Sequence, residues 1–153
     1  MSYIMNLRKK VGTSPLIMVG ACVLIFNEHN QLLMQLRKDN GCFGLAGGSM
    51  ELGESLEDVA RREMFEETGL IAKQLILLNT YSGKDFYYQY PHGDEVYNVV
   101  TAYICRAYEG LLAYDKTEAT DIRFFDLTAL PEKISPPDKL VIQDYLRNFK
   151  KCF

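Results

Sequence analysis

Apolar and polar positions fall into blocks with two periods. Residues 16–26 (LIMVGACVLIF) form a continuous apolar run, entered from Pro15 and interrupted by Gly20. Glycine penalises a helix interior, and a short unbroken run of branched residues suits a strand buried on both faces, so this run predicts a central strand. Residues 31–36 alternate, with Leu32, Met34 and Leu36 on one face, and predict a second strand after the turn signal 27–30. Residues 71–81, 96–108 and 122–127 read as further strands, separated by turn signals at 82–85, 91–95 and 109–110. Residues 138–149 follow Pro136-Pro137 and carry Leu140, Val141, Tyr145 and Leu146 at helical spacing, predicting an amphipathic terminal helix. Residues 5–11, within an expected N-terminal arm at 1–14, suit a short helix or an extended arm.

One stretch breaks its own pattern. Ser55 with Asp58 three residues later makes a capping-box start, and Gly69 is a helix stop. Leu56, Val59 and Ala60 form an apolar stripe, but helical continuation of that stripe meets Glu63, Glu66 and Glu67. Acids at these spacings are neighbours and repel, desolvation raises the penalty, and the last turn of a helix prefers cations. A divalent cation would relieve all three conflicts, and hard oxygen ligands suit Mg²⁺, with Mn²⁺ as the second choice.

Bulk properties narrow the classes. The 153 residues suit one domain over 1–153 with a real core. A formal net charge of −3 gives no electrostatic footprint for nonspecific nucleic-acid binding. No apolar run approaches the roughly 18 residues of a membrane span. Cys22, Cys42, Cys105 and Cys152 show no metal-binding spacing and suit the reducing cytoplasm.

The glutamates also sit in a longer pattern: Gly48, five residues, Glu54, seven residues, then Arg62-Glu63-Met64-Phe65-Glu66-Glu67-Thr68-Gly69-Leu70. At every defined position this resembles the signature of the Nudix hydrolase family. The resemblance implies an α+β Nudix fold, an α/β/α sandwich around a central mixed β-sheet, where pattern alone implies only a mixed sheet covered by helices. It implies hydrolysis of the pyrophosphate bond of a nucleoside diphosphate linked to another group X, with water attacking phosphorus. It also implies metal held by Glu63, Glu66, Glu67 and the Gly48 carbonyl, and these glutamates as the catalytic set. Glu54 and Arg62 read as a supporting ion pair. For the general base, a helix glutamate such as Glu66 and the later acids Asp94, Glu95 and Glu118 stay open. Family members commonly carry Trp-x-Leu-Pro-Gly-Gly before the signature; here Phe43 and Ala46 stand for the Trp and the Pro.

The substrate is less legible. Arg37 could meet phosphates, and Phe86, Tyr87 and Tyr88 could stack a nucleobase; the favoured reading of the aromatics is that Phe86, Tyr88 and Tyr90, at alternating spacing, pack one face of a hairpin. The proline that marks many ADP-ribose hydrolases is Asp85 here, and a tyrosine resembling the marker of dinucleoside polyphosphate hydrolases falls at Tyr87. Expected partners are a small nucleotide and a second copy in a homodimer, with neither nucleic acid nor membrane. The alternative is a catalytically silent Nudix module that binds nucleotide as a sensor. Such modules usually lose the signature glutamates, which are all present here.

Overall fold

Pro15 delivers the chain into strand β1 (Leu16–Ile25), whose second half is wholly buried. The computed structural model describes residues 2–152; Met1, the first position of the expected arm, and Phe153, the last of the expected domain, lie outside them. β1 pairs in parallel with β7 (Glu95–Glu109) from Leu16↔Val96 to Ile25↔Cys105. Its other edge takes β4 (Ala46–Ser49) antiparallel, and β5 (Ile71–Tyr81) lies antiparallel on the far side of β7. One parallel and several antiparallel pairings make this the mixed sheet that the alternation of strand and helix signals implies. β7 is long enough to take the short β6 (Tyr87–Gln89) as well, opposite its first residues.

Alternate residues of β1 feed two cores. Ala21, Val23 and Ile25 pack with Val59, Ala60 and Met64 of α2 (Leu56–Thr68). Cys22, Leu24 and Phe26 pack on the opposite face with Val141 and Ile142 of α3 (Pro136–Asp144) and with Tyr145 in the wider turn that continues it to Phe149. This is an α+β arrangement of α/β/α layers. The period-2 reversal of side chains along one strand is what lets one apolar run serve both helices.

β2 (Leu32–Arg37) does not join that sheet. Both edges of β1 are occupied, so β2 pairs instead with β3 (Phe43–Gly44) and β8 (Ala119–Phe125) in a separate antiparallel sheet. α1 runs Tyr3–Val11, capped by the Ser2 hydroxyl, and begins two residues before the expected start. α3 begins at Pro136, because a proline is accommodated in the first helical turn, where its missing N–H is not needed. Its inward face is Val141, Ile142 and Tyr145, with Leu140 and Leu146 only partly buried. No helix among the described residues is long and apolar enough to cross a membrane.

Candidate active site

α2 is aimed by its ends. Ser55 accepts from the Asp58 N–H at 3.0 Å while the Asp58 carboxylate accepts from the Ser55 N–H at 3.0 Å. At the other end Gly69 sits at φ 75°, the left-handed turn that stops the helix and that a side chain resists. Between these stops Val59, Ala60 and Met64 lie on the sheet. That seats Glu63 and Glu67, one helical turn apart, against β4.

Glu67 is a buried carboxylate, only 6% exposed. It accepts from the Gln35 side-chain amide at 2.5 Å and from the Gly47 N–H at 3.2 Å. Burial, and then repulsion from Glu63, push its pKa well above the usual carboxylate range. Burial also raises Glu63, despite the Arg62 guanidinium at 2.7 Å. Gly48 faces this pair, and a Cβ on it would fall onto the Glu63 carboxylate. Glu66 stands apart: it is exposed, and among the described residues it pairs only with Arg62, at 3.4 Å. One residue on a helix is a rotation of about 100°, so the position beside Glu67 points away from it.

Arg62 organises the cluster. Its Nε and Nη2 donate to the two oxygens of Glu54 at 2.6 and 2.8 Å. Nη1 donates to Glu63, and Nη2 also donates to the Ser49 carbonyl at 3.1 Å. A guanidinium with its donors so committed has little left for phosphate, and it fixes Glu63 through a planar fork that lysine lacks. If Glu63 holds the Mg²⁺ that the signature implies, Arg62→Lys is expected to leave the fold intact and to raise the Mg²⁺ concentration needed for half-maximal turnover roughly 10–100-fold. A Mg²⁺ titration of initial rates checks this.

Glu63, Glu67 and residues 47–49 line a cavity of about 360 Å³ running over β1, whereas Glu66, Arg62 and Glu54 do not. Of the expected substrate residues, Arg37 and Tyr88 line it, with Arg37 held by Asp39 at 3.0 Å. Phe86 does not: it is buried in the core against Tyr81, ring centroids 5.6 Å apart. Tyr87 lies outside the lining as well, packed at a tilt against Tyr97, its hydroxyl donating to Glu95. Phe86 thus leaves the substrate-binding set because its ring completes the core, and Tyr87 leaves it because alternation turns it to the opposite sheet face. Tyr90 joins Tyr88 instead, edge to face at 5.0 Å. Among the base candidates Glu118 lines the cavity, whereas Asp94 pairs with Arg8 and His92, and Glu95 pairs with Tyr87.

Two residues at the site, one behind the acid pair and one in the cavity wall, escape sequence reasoning. Gln35 is a polar residue in a strand segment buried on both faces, and such a residue demands a partner; here it is Glu67. Asp138 reads in sequence as an ordinary acid in a first helical turn. In the fold its Oδ2 accepts from the Leu45 N–H at 3.1 Å at the cavity wall, and burial pushes its pKa up to about 6. The folded protein therefore holds this proton more tightly than the unfolded chain, so stability falls as pH rises from about 4 to about 6. Asp138→Asn keeps the acceptor and removes the charge. Its expected gain is roughly 2–3 kcal/mol above pH 6, vanishing toward pH 4. Urea unfolding at the two pH values measures it.

A carboxylate pair thus sits on the last turns of a helix in an α/β/α sandwich, walled by a glycine strand and clamped by one arginine. A family model described as the NUDIX domain matches residues 16–145. The chain belongs to the Nudix hydrolase family. It is 39% identical over 126 residues to an ADP-ribose pyrophosphatase of Methanocaldococcus jannaschii, across 80% of this chain and 70% of that protein. The fold resembles a MutT NUDIX hydrolase from Burkholderia pseudomallei, with TM-score 0.72 and 24% identity over 85% of this chain and 97% of that one. It also resembles the NUDIX domain of Shewanella oneidensis NrtR, solved in complex with ADP ribose, with TM-score 0.68 and 17% identity over 95% and 97%.

Proposed function

We propose that the chain, acting as one domain, is a Mg²⁺-dependent nucleotide pyrophosphatase, with Mn²⁺ able to substitute. Its substrate is a nucleoside diphosphate linked to X, and an ADP-ribose-like molecule is the first candidate. The observation that carries this reading is the Glu63–Glu67 pair: two adjacent carboxylates, both with raised pKa, held against each other by α2. Among the described residues no three His, Cys, Asp or Glu side chains converge as a ready metal cage. Two carboxylates nonetheless fit Mg²⁺, which keeps several of its waters and takes few protein oxygens. Glu63, Glu67 and the Gly48 carbonyl would hold the ion; Glu66, expected as a further ligand, points away from them. When bound, the ion would neutralise pyrophosphate charge and acidify a water.

The chain's own groups do the rest. Arg62 keeps Glu63 in place, and Gln35 and the Gly47 N–H keep Glu67 in place. Glu66, exposed and free to turn, takes the proton as water oxygen bonds to phosphorus and the bridging P–O bond breaks. The products are a nucleoside monophosphate and phosphorylated X. Glu66→Gln is expected to lower kcat roughly 10²-fold with substrate affinity preserved, while Glu118→Gln serves as the comparison across the cavity. ADP-ribose is favoured by the 39% identical relative, although the proline marker is Asp85 here. The four cysteines are all free, which suits the cytoplasm; a homodimer remains part of the proposal.

The test is product chromatography after incubation with nucleoside triphosphates, ADP-ribose, dinucleoside polyphosphates and nucleotide sugars, with Mg²⁺, Mn²⁺ or chelator. Metal-dependent release of a nucleoside monophosphate supports the enzyme. Tight nucleotide binding without turnover on any substrate supports the silent module instead.

A further inference from the structure

Asn98 of β7 is a buried polar side chain, 8% exposed, that lines the cavity. It stands opposite Met18 of β1, which lines the cavity too. Its Nδ2 donates to the Phe86 carbonyl at 3.1 Å. A carbonyl oxygen only accepts, so this bond fixes which way round the amide stands. Oδ1 takes the other branch, and no group among the described residues donates to it. Among those residues, no side-chain N or O is both sealed from solvent and without a partner. Oδ1 therefore opens onto the cavity as an acceptor of fixed orientation and unfilled capacity.

The neighbours of Asn98 are aromatic. Tyr88 pairs with Val96, two residues before Asn98 on the same face of the sheet. Its hydroxyl accepts from Asn40 Nδ2 at 2.8 Å, and that nitrogen also donates to Ser135 Oγ at 3.1 Å, so the ring is anchored at its tip. Tyr90 braces it edge to face. A fixed ring beside a fixed acceptor suits a nucleobase: stacking holds the flat group, and the hydrogen bond reads its edge. Tyr88, Asn98 and Met18 share one end of the cavity, and the acid pair sits beside Ala21 and Cys22, opposite Gly48 and Gly47. Three strand residues from Met18 to Ala21 span roughly 10 Å, the reach of a nucleoside from the edge of its base to its 5′ phosphate.

We propose that Asn98 reads the nucleobase of the substrate: its Oδ1 accepts a hydrogen bond from an exocyclic amino group, as on adenine, and turns away a base with an oxo group at that place. An oxo group would set two acceptors face to face and leave both unpaired. The proposal rests on the pyrophosphatase reading and adds which base that site takes.

The full-length protein and its Asn98→Leu variant are compared on three substrates that differ at the purine 6-position: ADP-ribose, the analogue with hydrogen there, and the hypoxanthine analogue. In the wild type, kcat/KM is expected to favour ADP-ribose over the hypoxanthine analogue roughly 10–100-fold, with the unsubstituted purine between them. Asn98→Leu should bring the three together. A merely structural Asn98 would instead lower all three alike and leave their ratios unchanged. A second readout needs neither turnover nor a variant. With chelator present, AMP should bind the wild-type protein roughly tenfold more tightly than inosine monophosphate and should shift the Asn98 side-chain amide signals in a ¹H–¹⁵N spectrum. Equal kcat/KM on the three substrates, ratios that persist in folded Asn98→Leu, or AMP binding that leaves the Asn98 signals unmoved overturns the assignment. Absence of turnover on every substrate would instead defeat the pyrophosphatase reading, with the AMP titration still deciding whether Asn98 reads a base.

Discussion

Glu67→Gln is expected to lower turnover at least roughly 10³-fold at saturating Mg²⁺ while leaving the melting temperature unchanged or higher. The two halves of this expectation have one cause. Glu67 is buried beside Glu63, and ionising both is unfavourable without a cation between them. Glutamine keeps an oxygen for the Gly47 N–H and for Gln35, so the packing survives. What disappears is the charge that a metal would need. Metal-dependent rates and a thermal melt on the same preparation settle it; near-normal rates in the variant would remove Glu67 from the site.

Gly48→Ala is expected to lower turnover roughly 10²-fold, again with little loss of stability. Gly48 does not have a positive φ, so alanine imposes no backbone strain there. The added Cβ collides with the Glu63 carboxylate, the movable end of a side chain and not backbone. Glu63 gives way, the fold does not, and the acid pair comes apart. The contrast with Gly47 is informative: a Cβ there would meet the Ala21 carbonyl at 2.5 Å and Cys22 at 2.9 Å, within the sheet itself. Gly47→Ala should therefore cost stability as well as rate. Denaturant unfolding of the two variants side by side distinguishes them.

The mixed sheet covered by helices and the adjacency of Glu63 and Glu67 were legible because each rests on local rules, whereas the α/β/α sandwich followed only from the family resemblance. An unbroken apolar run, a capping box and a left-handed glycine fix β1 and α2 with no knowledge of the rest of the chain. The separate sheet was not legible, because whether β2 finds a free edge depends on β4 and β7, strands supplied by distant residues. The aromatic segment shows the same limit at the scale of single side chains. Phe86, Tyr87 and Tyr88 are consecutive, yet one enters the core, one packs against Tyr97 on the outer face and one faces the cavity. Composition cannot separate them; the turn at Lys84–Phe86 that sets their phase can. Asp138 stayed hidden for a different reason: an acid in a first helical turn has a sufficient local explanation, so nothing in the sequence points to its second role at the cavity.

The parallel pairing of β1 with β7 also bears on how the molecule comes into being. β1 must wait for β7, about 80 positions later (Leu16↔Val96), before its second edge is covered. On the ribosome β4 and α2 emerge long before β7 does, so the glutamates can gather on a half-built sheet while the most apolar strand of the chain still has an open side. Contacts so distant in sequence slow folding, and an unpaired apolar edge invites association with other chains. Yield on overexpression is thus expected to be governed by how quickly β7 arrives, and only weakly by the finished protein's stability.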